Sequence, residues 1–381
     1  MKKTRLTEFA CAAVLLSALL SGCTGKTSGK PTESNYGFES DKKEPVETEM
    51  TDNNEDKKEL YDIKDKEDLV SICYSTWFDP VIKKYGDNPY NIAEVLNGKR
   101  NWGPLYEFHY WGKPALGYYS SSDKDVIRTH MTQLYAAGID FIIVDNTNVS
   151  MDWKKDSTWK NMVSNPCTAL LDTIVEMRAE GLKTPYVSMW CKTNNEDWNI
   201  VNAIYDEFIT NKKYEECWVY WSEKPFVLVT QSPALDNTKI TWRHMWGLNY
   251  NTKKCEWSFL QQKNTPNYDR RGRAEQICVC VAAQAGYMSD PSNALGREGG
   301  CTFWHQWQNA FESRPKVVTV TWWNEWIAQR FEDNKFVDNY SEEYSRDIEP
   351  MEGGHGSKYY DWMKEYIAAY KSHSECPELH D

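Results

Sequence analysis

The chain has 381 residues and a formal net charge of −12. That length admits one large domain or two ordinary ones, and the acidic balance argues against nucleic acid as a partner. Eighteen tryptophans are far above ordinary usage and call for a reason beyond core filling.

The first residues read as a processing signal. Lys2, Lys3 and Arg5 form a positive start, Ala10 to Leu20 an apolar run, and Leu20-Ser21-Gly22-Cys23 places small residues ahead of a cysteine. This pattern resembles a bacterial lipobox. It predicts a signal peptide over 1–22, a lipid on Cys23, and a protein lipid-anchored to the bacterial cell envelope, exposed outside the cytoplasm. The apolar run is too short to span a bilayer. Residues 23–68 carry eight lysines against fourteen acidic residues, net −6, and almost no large apolar side chains. Such composition reads as a disordered tether. Nine cysteines lie beyond Cys23, an odd number without zinc-ligand spacing, and read as buried free thiols.

A (β/α)8-barrel domain is expected over 69–373. Leu69 to Trp77 reads as its first strand, followed by a long irregular insertion rich in Trp, Tyr, Asn and Gly. Asp125 to Ala137 reads as a helix stopped by Gly138, and Phe141 to Val144 as a short apolar strand. Helices over Cys167–Ala179 and Trp198–Ile209 flank a strand over Tyr186–Trp190. Trp218–Trp221, Phe226–Thr230, Gln276–Ala282 and Val317–Trp323 read as further strands, and Ser357–Tyr370 as a closing helix. Short, wholly apolar strands alternating with helices point to a parallel sheet buried on both faces. With about seven or eight of them, the α/β class is expected as a TIM barrel with long loop insertions. A doubly wound open sheet is the alternative, disfavoured because no Gly-rich phosphate loop follows the first strand.

Chemistry in a barrel sits where strands end. Those positions hold Trp77 and Asp79, Asp145 and Asn148, Trp190 with Asn194 and Asn195, Gln284 and Tyr287, and the run Trp323-Asn324-Glu325-Trp326. Indole faces stack on sugar C–H faces, and a carboxylate set among them is open to pKa tuning. Each residue has a plainer reading: Glu325 or Asp145 as a helix cap, His109 as a structural histidine, Arg243-His244 or Arg297 as a partner of wall acids, with Asp290 and Glu298 as further acids.

Phe108-His109-Tyr110-Trp111-Gly112-Lys113-Pro114-Ala115-Leu116-Gly117-Tyr118-Tyr119, then Ala137-Gly138-Ile139-Asp140-Phe141, then Trp323-Asn324-Glu325-Trp326, resemble the family 71/99-like glycoside hydrolase barrels, which are related to endo-α-mannosidases. The resemblance covers most of 69–371. It implies a glycoside hydrolase in which Glu325 matches the first glutamate of an Asn-Glu-Trp-His-Glu motif and serves as base. The motif's second glutamate, the family's acid, is replaced here by Ala328. An Ile-Glu-Pro element of the family matches Ile348-Glu349-Pro350. The expected catalytic carboxylates are therefore Glu325, Glu349 and Asp145, with Asp347 a further source of the acid. Asn324, Trp323, Trp326, Trp77, Trp111, His109, Trp190, Gln284 and Arg297 are expected to bind an oligo- or polysaccharide, an α-mannoside or α-glucan among them. No metal or other cofactor is implied, and a monomer is expected. The alternatives are a non-catalytic glycan-binding surface lipoprotein and a two-lobed solute-binding protein.

Overall fold

The structure is a computed structural model and describes residues 59–380, apart from 151, 153, 156, 195–196, 234–236, 248–253, 285, 287, 289–290, 333 and 339–340. The expected signal, the lipid site at Cys23, most of the tether, and Asn195, Tyr287 and Asp290 lie outside the described residues.

Eight strands build a barrel: β1 (Leu69–Ser75), β2 (Phe141–Asn146), β3 (Tyr186–Cys191), β4 (Lys224–Val229), β5 (Thr241–Gly247), β6 (Glu256–Leu260), β7 (Ala274–Cys280) and β8 (Val317–Thr321). Each pairs in parallel with the next from β1 to β6, and β7, β8 and β1 continue the ring. The α/β barrel expected from the apolar strand runs is thus the fold.

Helices clothe part of it. They are α1 (Asp79–Tyr85), α2 (Ile92–Leu96), α3 (Lys124–Ala136), α4 (Asn165–Ala179), α5 (Asn199–Ile204), α6 (Cys301–Ser313) and α7 (Lys358–Lys371). In α3, Asp123 Oδ1 accepts from the N–H of Asp125 at 2.9 Å, and Ile127, Met131 and Leu134 bury its inner face. Gly138 ends that turn at φ +86°, where a Cβ would stand 2.9 Å from Ile367 of α7. Among the described residues no α-helix lies between β4 and α6.

Two apolar layers result. One, between sheet and helices, holds Val70, Ile142, Val187, Trp307 and Tyr370; the other, inside the ring, holds Cys73, Ile143, Leu228, Met245, Trp257 and Trp322. Six of the nine cysteines beyond Cys23 are buried and all nine are free thiols.

The strand assignment needs two corrections. Val219–Trp221 is no barrel strand: it runs antiparallel to β4 and parallel to Tyr61–Asp62. β5 and β6 take its place in the count. Their sequences, Thr-Trp-Arg-His-Met-Trp-Gly and Glu-Trp-Ser-Phe-Leu, lack the continuous apolar run of a strand covered by helix, because no described helix covers them. The folded chain also begins before residue 69. Ile63 is fully buried, and Lys316 Nζ donates to the carbonyl of Lys64 at 3.0 Å. Charged side chains hid a segment whose backbone is structural.

The ring is joined between β6 and β7 by side chains. Ser258 N–H donates to Gln276 Oε1 at 3.2 Å, and Gln276 Nε2 donates back to the Ser258 carbonyl at 2.8 Å. One amide thereby replaces a missing pair of ladder bonds. Gln276→Leu leaves both buried backbone groups unpaired and is expected to cost on the order of 3 kcal/mol, read as a lower denaturation midpoint in urea at an unchanged slope.

Candidate active site

Past β8 the chain runs on through Trp322 and Trp323, and the segment 346–349 returns to lie along it. Trp322 N–H donates to the Arg346 carbonyl at 2.8 Å, and Ile348 and Glu349 N–H donate to the Trp322 and Trp323 carbonyls at 3.0 and 2.9 Å. Arg297 clasps that segment, donating to the Glu342 carbonyl, Ser345 Oγ and the Asp347 carbonyl at 2.8, 2.8 and 2.7 Å. This return brings Arg346, Asp347 and Glu349 to the C-terminal mouth, where barrel chemistry resides.

Glu325 lies there, 3 % exposed, with Arg346 donating to both its oxygens at 2.6 to 3.0 Å. The same Arg346 Nη2 lies 3.4 Å from Asp338 Oδ1. Oxygens 2.6 and 3.4 Å from one nitrogen can be no farther apart than those distances added. The nearest oxygens of the Glu325 and Asp338 carboxyls are therefore at most about 6 Å apart, below the ~6.5–9.5 Å of inverting glycosidases. The Asp338 side chain, 30 % exposed, is the more open of the two. It was not foreseen from sequence, since it sits in a charged insertion far in sequence from any barrel strand end. Its positive φ of 63° is no sequence signal either.

Burial dominates the electrostatics. It pushes the Glu325 carboxyl up, to about 8, against the pull of Arg346 and with added repulsion from Asp338 and Asp347. Burial likewise raises Asp338, again opposed by Arg346. Asp145, 1 % exposed at the end of β2, is pushed up to about 7 by burial, against the Thr147 N–H that donates to its Oδ1 at 2.7 Å. Asp347 is raised to about 7 by burial, opposed by Arg297 and by the Trp111 Nε1–H donated to it.

Asp145 yields a pH prediction. Its folded pKa lies above its unfolded value, so the stability it contributes is full below about pH 4 and is lost as pH rises through 7. Asp145→Asn keeps the Oδ1 acceptor for Thr147 and removes the titration. The variant is expected to melt higher than wild type at pH 8, by a few kcal/mol at most, and to lose that advantage at pH 4.

Glu349 is built into a closed network. Tyr119 OH donates to its Oε2 at 2.7 Å, Trp326 Nε1–H donates there at 2.5 Å, and His130 Nε2 stands 2.9 Å from Oε1. His130 Nδ1 in turn meets Tyr74 OH at 3.0 Å. With 1 % exposure and both oxygens engaged, Glu349 anchors the loop.

The expected sugar platforms are corrected as a group. Trp77 and Trp190, at 6 % and 1 % exposure, and Trp111, Trp323 and Trp326, at 1 % or less, are core. Trp77, Trp111 and Trp326 fill a separate cluster with Phe78, Tyr110 and Phe336, under a three-stranded sheet of Phe108–Tyr110, Ile327–Glu332 and Lys335–Phe336. Trp111 stacks on Trp326 at 4.9 Å. Ala328 belongs to this cluster and pairs with His109 across the ladder. Asn324 is fully buried and bridges to β1, accepting from Ser75 N–H at 2.8 Å and donating to its carbonyl at 3.2 Å. His109 accepts from Gly103 N–H at 3.1 Å, and burial lowers it to about 4. Gln284 is 4 % exposed and donates to the Gly286 carbonyl at 3.1 Å. These residues position the mouth rather than line it.

Among the described tryptophans the most exposed is Trp246, 45 % exposed at the end of β5. It meets Trp190 edge-on at 6.1 Å and Phe259 at 5.9 Å; Trp322 follows, 6.0 Å from Trp190, with the Arg346 guanidinium 5.6 Å from its ring. An aromatic path thus leads from the surface to the carboxylates. A composition-level count of tryptophans could flag it, but only strand β5 places it.

Among the described residues no group of three His, Cys, Asp or Glu is placed to hold a metal ion, and no helix is long and apolar enough to cross a membrane.

No family model matches the chain, and no curated protein matches it. Solved structures do. The GH99 endo-alpha-mannosidase from Bacteroides thetaiotaomicron is similar at TM-score 0.52 and 13% identity over 81% of this chain and 99% of that one. Its complex with bis-tris propane is similar at 0.51 and 14%, over 81% and 98%. The fold is glycoside hydrolase-like. At such identity the likeness extends to fold and no further.

Proposed function

We propose that the chain is a glycoside hydrolase acting on an oligo- or polysaccharide at the C-terminal mouth, with Glu325 as base or nucleophile and Asp338 as acid across Arg346. The observation that carries this reading is the pair of carboxyls sharing one guanidinium at the barrel mouth, their nearest oxygens within about 6 Å of each other. A base works best with its pKa near the working pH, and burial lifts Glu325 into that range. The arginine opposes protonation and keeps a fraction ionised. Arg346 Nη1 and Asp347 Oδ1 are buried without a hydrogen-bond partner among the described residues, which leaves polar groups for a substrate hydroxyl or a water. The fold's likeness to a GH99 endo-alpha-mannosidase favours α-mannosides as the first substrates to try.

Reducing-sugar release from α-mannans, α-glucans and N-glycans tests this reading. Trp246→Ala is expected to raise KM about tenfold with kcat little changed, because a stacking platform contributes uniform binding. An unchanged KM would remove Trp246 from the subsites.

A non-catalytic glycan-binding protein is the second reading. It is favoured by Arg346 occupying both Glu325 oxygens and by the apolar surroundings of Ala328. Saturable glycan binding without release from any substrate would establish it. The envelope location, with a lipid on Cys23, belongs to the proposal as well; metabolic labelling with a palmitate analogue, lost in Cys23→Ser, is its check.

A further inference from the structure

At the end of the barrel opposite Glu325, a cavity of about 1290 Å³ opens among the strand starts. Arg243 and Glu275 lie within it, with Trp221, Trp242 and the 269–271 turn on its walls. Nine lysines and arginines line it against five aspartates and glutamates, a surplus of four positive charges in a chain whose net charge is −12.

Part of that charge is neutralised internally. Arg243 grips Glu275 through Nε and Nη2 at 2.6 and 2.8 Å, and Arg273 pairs with Asp269 at 2.9 Å. Lys224, Arg270 and Arg271 enter no ion pair among the described residues. Arg270 and Arg271 are exposed at the rim. Aromatic surface adjoins the cations: the Arg243 guanidinium lies 4.4 Å from the Trp221 ring centre and Lys316 Nζ 5.7 Å from it.

Unpaired guanidinium forks recognise carboxylate, sulfate or phosphate groups, and indoles take the C–H face of a sugar. The volume exceeds the roughly 300–1,000 Å³ of a small-molecule pocket, so several sugar units fit better than a lone ion. We propose that the N-terminal mouth is a second saccharide site, which binds an anionic oligosaccharide away from the hydrolytic mouth. Duplex nucleic acid carries a charge about every 1.7 Å and would meet the repulsion of an acidic protein along its length. A glycan spaces its charges at sugar-unit intervals, which suits a confined surplus of four.

Calorimetric titration of the whole protein with a heparin-derived hexasaccharide, an oligogalacturonate and neutral mannohexaose tests the site. Saturable binding of an anionic oligosaccharide is expected, weakening with salt, with none for the neutral sugar at this mouth. The double variant Arg270→Glu, Arg271→Glu should weaken it at least about tenfold, whereas Glu325→Gln and Trp246→Ala should leave it unchanged. Absence of binding, or binding indifferent to the charge reversal, overturns the proposal. So does tighter binding of a single-stranded oligonucleotide or of phosphatidylglycerol vesicles. Because the hydrolytic variants lie at the other mouth, either reading can fail without the other.

Discussion

Glu325→Gln is expected to lower the rate of glycan release by roughly 10²–10⁴-fold, the scale of a missing general base, while the protein stays folded and glycan affinity stays close to wild type. The amide fills the same space beside Arg346 but can neither accept a proton nor attack the sugar. In the wild-type protein the rate is expected to rise with pH through about 8, since Glu325 must be ionised to act and burial has lifted its carboxyl to that value. Asp338→Asn should lower kcat as well, because its carboxyl shares Arg346 and is the proposed acid. Reducing-sugar kinetics across pH measures all three effects. Release that persists in Glu325→Gln would take catalysis away from this pair.

Arg346→Leu is expected to destabilise the fold by ~3–5 kcal/mol above about pH 8, where Glu325 ionises, the cost of leaving a buried charge without its partner. Glu325 has 3 % exposure and would lose all three guanidinium hydrogen bonds, and Asp338 would lose its one contact. With the cation gone, the carboxyl pKa values rise further above their unfolded values. The variant should therefore be most stable in acid and lose stability as pH rises. Adding Glu325→Gln to Arg346→Leu removes the orphaned charge and should recover most of the loss. Urea unfolding of wild type, both single variants and the double closes the cycle. Purely additive losses would show that the arginine acts through packing on Trp322 and Phe259 rather than through charge.

Much of the barrel was legible. Phe141–Val144, Tyr186–Trp190 and Val317–Trp323 are apolar because helices cover them outside and the ring's core covers them inside, and this burial wrote a continuous pattern into the sequence. α3 and α7 could be read from their apolar spacing and from Gly138, whose left-handed φ admits few other residues. β5 and β6 could not, because one of their faces is left without helix and tolerates Arg243, His244 and Glu256. Tyr61–Asp62 was hidden for a related reason: it is held at an edge of the sheet by backbone pairing, within a stretch otherwise dominated by charged residues.

At the site, sequence position located Glu325 and Asp145 at the ends of β8 and β2, and residue type made them candidates. It also promoted the wrong tryptophans. Trp77, Trp111 and Trp326 are aromatic for a second core under the loop sheet, and residue type cannot separate a buried indole from a stacking surface. What the sequence by itself determined is the strand-and-helix rhythm and the carboxylate at the last strand end. Only the tertiary structure decided that Asp338 shares Arg346 with Glu325, that Glu349 is locked by Tyr119, Trp326 and His130, and that Trp246 is the most exposed of the described indoles. The reason is physical. Strand-end identity is a local property of the chain, whereas exposure and carboxyl pairing depend on where a distant loop comes back to pack.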